Sequence, residues 1–428
     1  MNGLVLSLFL HAGHSIYSLI KYKGFSIHNL ISLWFTFIVM MGFITVDTGI
    51  YQEVHGYNTN FPYKPYILEF LFFLIFMWPF RSLSDKEFII TDFPVYNKNF
   101  KFLFVGVLIS YGFYFFLLLK VAVFVLSQKE MAAAYQAIHF DGASLYDYSG
   151  VEEKIKWICG SIYDWTSPIV LIYAIFGIIK GNNGLSYRFN VVCLIMVVAM
   201  FFLDCISTGQ RGGIFFFGVR LLFVFVPLWP KFPTKAKKTV RRYIPFVVAS
   251  FSLYAAMMTI ARVENSTVET PITTVLRYLG EPYPHLGNAF WEQVITHPMG
   301  ARLFPFLIEA NGNTGVSLGD QHAFWEVVTG VPILNYKTLY GDFYVDFGPY
   351  IPFVIIFFHA LLLKSFVKSR TISFAAYPIL YYYIIMASAA PLWFNLREWY
   401  GVKLLLAALC AYLMLNRISK MSHKRGCI

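Results

Sequence analysis

Runs of apolar residues recur along most of this chain, separated by short polar or basic segments. They fall at about 3–20, 27–46, 66–80, 102–126, 160–179, 190–206, 214–229, 243–261, 349–367, 373–390 and 401–416. Most approach the ~20 residues that cross a bilayer as a helix. The pattern predicts an all-α polytopic membrane protein of about eleven transmembrane helices, in a single integral domain over 1–428. The first run is the weakest, because His11 and His14 interrupt it. On one face of a helix they read as packed core histidines.

One long polar passage, Ala261–Tyr350, breaks the pattern between the eighth and ninth runs. Arg, Glu, His and Asp concentrate there, and a stretch of this length implies a task outside the lipid. Thr270-Pro271 is a helix start, with Thr as cap and Pro at the first helical position. Ile272, Val275, Leu276 and Leu279 then make one apolar stripe, and Gly280 is placed to end the helix. Pro282 and Pro284 are expected to prevent the helix from continuing.

Basic residues set the orientation. With the C-terminus cytoplasmic, the inside segments hold 21 of the 34 Lys and Arg but only Asp85, Glu87 and Asp92 of the 23 acids. That asymmetry is the positive-inside signature. It places the N-terminus, Thr48–Tyr63, Gln128–Trp157, Ser207–Gly213 and Ala261–Tyr350 outside, and Lys231–Arg242 inside.

Composition agrees. The chain is 58% hydrophobic and 13% charged, against about 25% charge in soluble domains. A net charge of +11 distributed in this way reflects topology, not a nucleic-acid partner. The cysteines (Cys159, Cys193, Cys205, Cys410, Cys427) form no CxxC and no even set in a polar loop, so neither a disulfide framework nor a zinc site is indicated. The start lacks the features of a cleaved leader. No cytoplasmic connection carries a phosphate loop, and no DxD occurs in the outer segments, so a metal-dependent transferase site is unsupported.

Several residues could carry chemistry on the outer face. Arg211 lies in Gly209-Gln210-Arg211-Gly212-Gly213, a tight turn where backbone N–H groups and a guanidinium fork could meet an anion; a snorkelling arginine would look the same. Asp204 is near it in sequence. Arg220 falls two turns into the next run, suited to substrate or to a buried acid on another helix. Arg262 opens the polar passage, as a ligand or as a boundary anchor. Arg397 sits beside Glu398 among aromatics, in an interface belt or a sugar-stacking site. Arg277, Glu281 and His285 are spaced i, i+4, i+8 and offer an acid, an imidazole and a cation, which is what hydroxyl activation needs; a loop ion pair is the alternative. Asp342 and Asp346, at the mouth of the next run, would share a helix face. Asn265-Ser266-Thr267 matches a glycosylation sequon, without meaning in a bacterium.

The order of Thr208–Gly213, then Arg277–Pro282, then Tyr340–Gly348 entering a span, on this layout, resembles the O-antigen or oligosaccharide repeat-unit polymerases of the Wzy type. The resemblance implies an enzyme in a bacterial cytoplasmic membrane that joins undecaprenyl-diphosphate-linked repeat units on the outer face. It implies a fold similar to the C-type membrane glycosyltransferases, no metal or other cofactor, and a possible chain-length regulator as partner. It casts Glu281 or His285 as base, with Arg277 beside them, and Arg211, Arg220, Arg262, Asp342, Asp346 and Arg397 as substrate contacts. A ligase acting on the same lipid carrier, or a flippase for the lipid-linked unit, would share the composition and layout; the absence of paired repeat halves speaks against the flippase.

Overall fold

The computed structural model describes residues 2–22, 24–56, 60–83, 89–91, 98–127, 146–180, 185–208, 211–263, 270–305, 318–333, 336–368 and 371–424. The protein is all-α apart from one small sheet. Its long helices are α1 (Asn2–Tyr22), α2 (Ile27–Asp47), α5 (Lys98–Leu126), α6 (Gly150–Lys180), α7 (Tyr187–Ser207), α8 (Arg211–Leu228), α9 (Thr234–Val263) and α16 (Glu398–Lys424). Among the described residues these eight are long and apolar enough to cross a membrane. Helices α4 (Tyr63–Met77), α14 (Ile351–Phe366) and α15 (Tyr377–Ala389) match further apolar runs but are shorter. The segment expected as loop over Gln128–Trp157 is already helical from Gly150.

Helices α1 and α2 form a hairpin, with Ser26 capping α2 by accepting from the Asn29 N–H at 3.2 Å. Helix α4 packs along α1, and short helix α3 (Ile50–His55) follows α2.

The polar passage does not stand away from the bundle as a loop. It folds inward. Residues 280–287 are all buried, as are 338–346. Its helices are α10 (Pro271–Gly280), α11 (Pro282–His285), α12 (Leu318–Thr329) and α13 (Thr338–Phe347), with a π-turn over Leu286–Phe290. The start of α10 is as the residues predict: Thr270 and Thr273 close a reciprocal capping box, with Pro271 at the first position. Its end is too: α10 stops at Gly280, with Arg277 in its last turn and Glu281 as the residue after it. Glu281 is right-handed helical (φ −67°, ψ −25°), and a separate single turn, α11, follows with both prolines in it. Each proline lies in that first turn, where its missing N–H costs little, so the pair stiffens the path beyond the end of α10. Gly280 is there for closeness. A Cβ on it would lie 2.6 Å from the Met41 carbonyl and inside the contact distance of Thr45 Oγ1, so α10 meets the backbone of α2 directly. Thr45 Oγ1 also donates to the Leu276 carbonyl at 3.1 Å. Ile272 and Val275 of the apolar stripe are exposed, and Thr274 and Gly280 are the buried residues of α10.

At the opposite end of the bundle, β1 (Ile89–Thr91) pairs in parallel with β3 (Thr371–Ser373), which pairs antiparallel with β2 (Val367–Lys368). Both contributing segments belong to the basic set that the charge pattern puts on one side.

The Gly280 contact predicts a specific sensitivity. Gly280→Ala should overpack α10 against α2 and cost about 1–3 kcal/mol or more, lowering the thermal unfolding midpoint of the purified protein. Gly106→Ala, whose Cβ would meet nothing within 4 Å, should leave the midpoint unchanged.

Candidate functional site

The short step from α10 through Glu281 into α11 puts Arg277, Glu281 and His285 together. Glu281 is 5% exposed and His285 fully buried. His55, from α3, stands 3.2 Å by its Nε2 from Glu281 Oε2, and Arg277 Nε lies 3.9 Å from the same oxygen. The Arg277 guanidinium covers the Tyr278 ring at 5.1 Å. His285 Nδ1 donates to the Tyr336 carbonyl at 3.1 Å, which fixes the tautomer with the lone pair on Nε2. Its ring meets that of His55 edge-on at 4.6 Å. Burial, then the neighbouring His55, Lys337 and Arg277, hold the His285 pKa well below the usual histidine value, so it is a neutral imidazole. Two imidazoles and a carboxylate are thus gathered in one buried centre, with a guanidinium at its edge.

The ligand atoms of His55, Glu281 and His285 lie within 4.8 Å of one another. Two imidazoles and a carboxylate are a donor set that zinc accepts. The guanidinium beside the same carboxylate opposes a second cation there. The cluster therefore reads better as an acid–base centre.

A second centre lies on α13. Asp342 and Asp346 share its buried face, as their i, i+4 spacing requires, just before the apolar helix α14. One guanidinium holds both. Arg302 Nη2 is 3.2 Å from Asp342 Oδ1 and 2.8 Å from Asp346 Oδ2, and it donates to the Asp342 carbonyl at 2.8 Å. The Phe394 N–H donates to Asp342 Oδ2 at 2.7 Å. Burial raises the Asp346 carboxyl to about 6 against the pull of Arg302. Lys337 is buried beside them, donating to the Ile333 carbonyl at 2.8 Å and lying 4.7 Å over the Phe290 ring. Burial lowers its pKa to about 7, with Arg302 and Arg397 lowering it further and Asp342 and Asp346 opposing. His322 is lowered to about 4 by burial and by the same three cations, Arg397, Lys337 and Arg302. Lys337 acts on His285 as well, so the two centres are electrostatic neighbours.

The remaining expected residues are dispersed. Arg220 donates by Nε to Ser388 Oγ at 3.1 Å and faces the Phe201 ring, with no acid on it among the described residues. Arg397 pairs with Glu398 at 3.6 Å, both partly exposed. Arg211 opens α8 and Arg262 lies in the last turn of α9, but their side chains fall outside the described residues, as do residues 265–267 of the sequon. Asp204 accepts from the Tyr114 hydroxyl at 3.4 Å. His11 of α1 is a packed core histidine, fully buried against Phe35, Phe70 and Phe73, and it also lies 2.9 Å from Glu69; His14 is half-buried, 2.8 Å from Ser32.

Sequence reasoning missed His55, Arg302 and Lys337. Arg302 had a signal, since two aspartates one turn apart on a buried helix require a cation. His55, in a separate segment, had none.

No protein-family model, curated protein or solved structure matches this chain.

Lys337 gives a pH test. Its ordinary pKa of 10.5 in the unfolded chain falls to about 7 in the fold, so between these values the unfolded state binds more protons. Stability should rise with pH across that window, by up to about 1.4 kcal/mol per unit. Thermal unfolding followed from about pH 7 to 10 should show that rise, and Lys337→Met should flatten it.

Proposed function

We propose that this protein is a metal-independent glycosyltransferase that polymerises undecaprenyl-diphosphate-linked oligosaccharide repeat units into O-antigen or a related surface polysaccharide. The observation that supports it most is the pairing of a buried carboxylate–imidazole centre, Glu281 with His55, with neighbouring cations, Arg277 at its edge and the buried Lys337. Glycosyl transfer from a lipid diphosphate needs both. In this reading Glu281 takes the proton of the acceptor hydroxyl. The acceptor oxygen then bonds to the anomeric carbon of the donor, and the glycosidic bond to the diphosphate breaks. The electron pair leaves on undecaprenyl diphosphate, whose charge the cations stabilise. Arg277 orients Glu281, and His55 shares its proton. Arg211, Arg220 and Arg262 are further contacts for lipid-borne phosphate.

The reading sets the 261–350 stretch on the outer face of a bacterial cytoplasmic membrane, with the N-terminus outside and the C-terminus cytoplasmic. A chain-length regulator would act as a partner in the same membrane.

Three outcomes are expected. Glu281→Gln should cut polymerisation by about 10²–10⁴-fold at unchanged protein level, leaving a single-unit product on a polysaccharide gel; normal ladders would reduce the centre to an ion pair. Chelation should leave turnover of the purified protein unchanged, whereas a loss restored by zinc would put a metal between His55, Glu281 and His285. In a background without native cysteines, Thr296→Cys should react with an impermeant thiol reagent applied from outside and Lys238→Cys should not; the reverse pattern overturns the topology and the site together.

A further inference from the structure

The first two helices carry polar chemistry that the proposed transfer does not use. Along α1, Ser7, His11, Ser15 and Ser18 are buried on one stripe. They face His28, Asn29 and Ser32 of α2, also buried, and Thr36. From the hairpin end the contacts run in sequence. His28 Nδ1 is 2.8 Å from Ser18 Oγ, which donates in turn to Asn29 Oδ1. The His28 ring lies 5.5 Å from that of His14. His14 Nδ1 is 2.8 Å from Ser32 Oγ, Ser32 Oγ is 2.7 Å from Ser15 Oγ, and Ser15 Oγ is 2.8 Å from Thr36 Oγ1. Thr36 donates to the His11 carbonyl at 3.0 Å. His11 Nε2 is 2.9 Å from Glu69 Oε2 on α4, and Glu69 Oε1 accepts from the Tyr283 hydroxyl at 3.0 Å. From His11 to Ser18 the contacts rise about 10 Å along α1, about a third of the ~30 Å apolar thickness of a bilayer.

We propose that this file is a proton path along the α1–α2 hairpin, from His28 at the hairpin turn to Glu69 beneath Tyr283. Hydroxyl pairs alone are common glue between membrane helices. Glue does not call for three imidazoles and a carboxylate, and ionisable groups inside spanning segments mark relays and ion paths. A serine or threonine hydroxyl both donates and accepts, and each imidazole has two nitrogens, so the hydroxyls and imidazoles of the file can receive a proton on one side and release one on the other, with water joining the His28 and His14 rings. Three buried atoms of the file, Ser7 Oγ, His11 Nδ1 and His28 Nε2, find no hydrogen-bond partner among the described residues. Buried polar atoms of that kind bond to water inside proteins. His11 Nδ1 is where the step from the hydroxyl group to the His11–Glu69 pair needs such a bridge.

The surroundings leave few competitors. Phe35, Phe70 and Phe73 wall the His11 ring, and Tyr283 meets its edge. Arg81 is the cation acting on His14 and His28, and the Tyr22 ring lies 5.4 Å from His28. Each transit takes up one proton at the His28 end and releases one at the Glu69–Tyr283 end, so no other reactant is required. The path is independent of the proposed transferase activity.

The test uses the full chain, purified and reconstituted in liposomes that enclose a pH-sensitive dye, with a potassium diffusion potential to drive protons inward. Wild-type vesicles should acidify several-fold faster than protein-free vesicles. Glu69→Gln and His11→Phe should return the rate to the protein-free level. The double change Ser15→Ala with Ser32→Ala removes only two hydroxyls, so it spares the fold if the buried pair does not tolerate change, and it should also abolish most of the flux. Thr48→Ala, at the end of α2 and outside the file, should keep the wild-type rate. A wild-type rate equal to that of protein-free vesicles overturns the path, and so does a wild-type rate retained by the double serine variant.

Discussion

The candidate site rests on one close approach. Gly280 brings α10 against the backbone of α2 at Met41 and Thr45, nearer than any side chain would allow. From that contact the chain turns through Pro282 and Pro284 into the bundle, where Tyr283, Leu286 and Phe290 are fully buried. Glu281 and His285 travel inward with them and meet His55, which α3 carries from the far end of α2. Without that depth the same residues would be solvated loop charges, and surface pairs of this kind contribute under about 1 kcal/mol. Burial is what turns them into chemistry.

Going inward imposes a second demand, that each buried charge find a counterpart. The structure meets it with few groups. One guanidinium, Arg302, serves two carboxylates and a carbonyl, and a backbone N–H takes the remaining oxygen of Asp342. Helix α13 is also tied by its own backbone, since the Lys337 and Thr338 N–H groups share the Leu392 carbonyl and the Leu339 N–H donates to Ala390. The carboxylates and the guanidinium between them are therefore fixed in direction.

Much of this was legible in the residues. The apolar runs mark the helices, because a bilayer leaves a backbone no other way to bond. The cap at Thr270 was legible because capping is local. The spacing of Asp342 and Asp346 gave a shared face for the same reason. What escaped was what depends on distant partners. Gly280 reads locally as a stop, which it is, but its contact with residue 45 could not be read. Pro282 reads as a break, and α10 does end before it, but the turn it begins leads into the bundle. His55, some two hundred residues before Glu281, joins it only in three dimensions. Glu69 was hidden in an apolar run, where a single polar residue leaves the hydropathy pattern almost unchanged, so the partner of His11 could not be read.

The small sheet at the other end has a consequence for biosynthesis. Ile89–Thr91 pairs with Thr371–Ser373, so a strand made in the first quarter of the chain waits for a partner from the last. A chain inserted into the membrane in order would hold β1 with an open edge through most of its synthesis. That end of the bundle closes only after the later helices have entered, which makes strand pairing a late step in assembly and a chain truncated before residue 371 one that carries an unclosed edge.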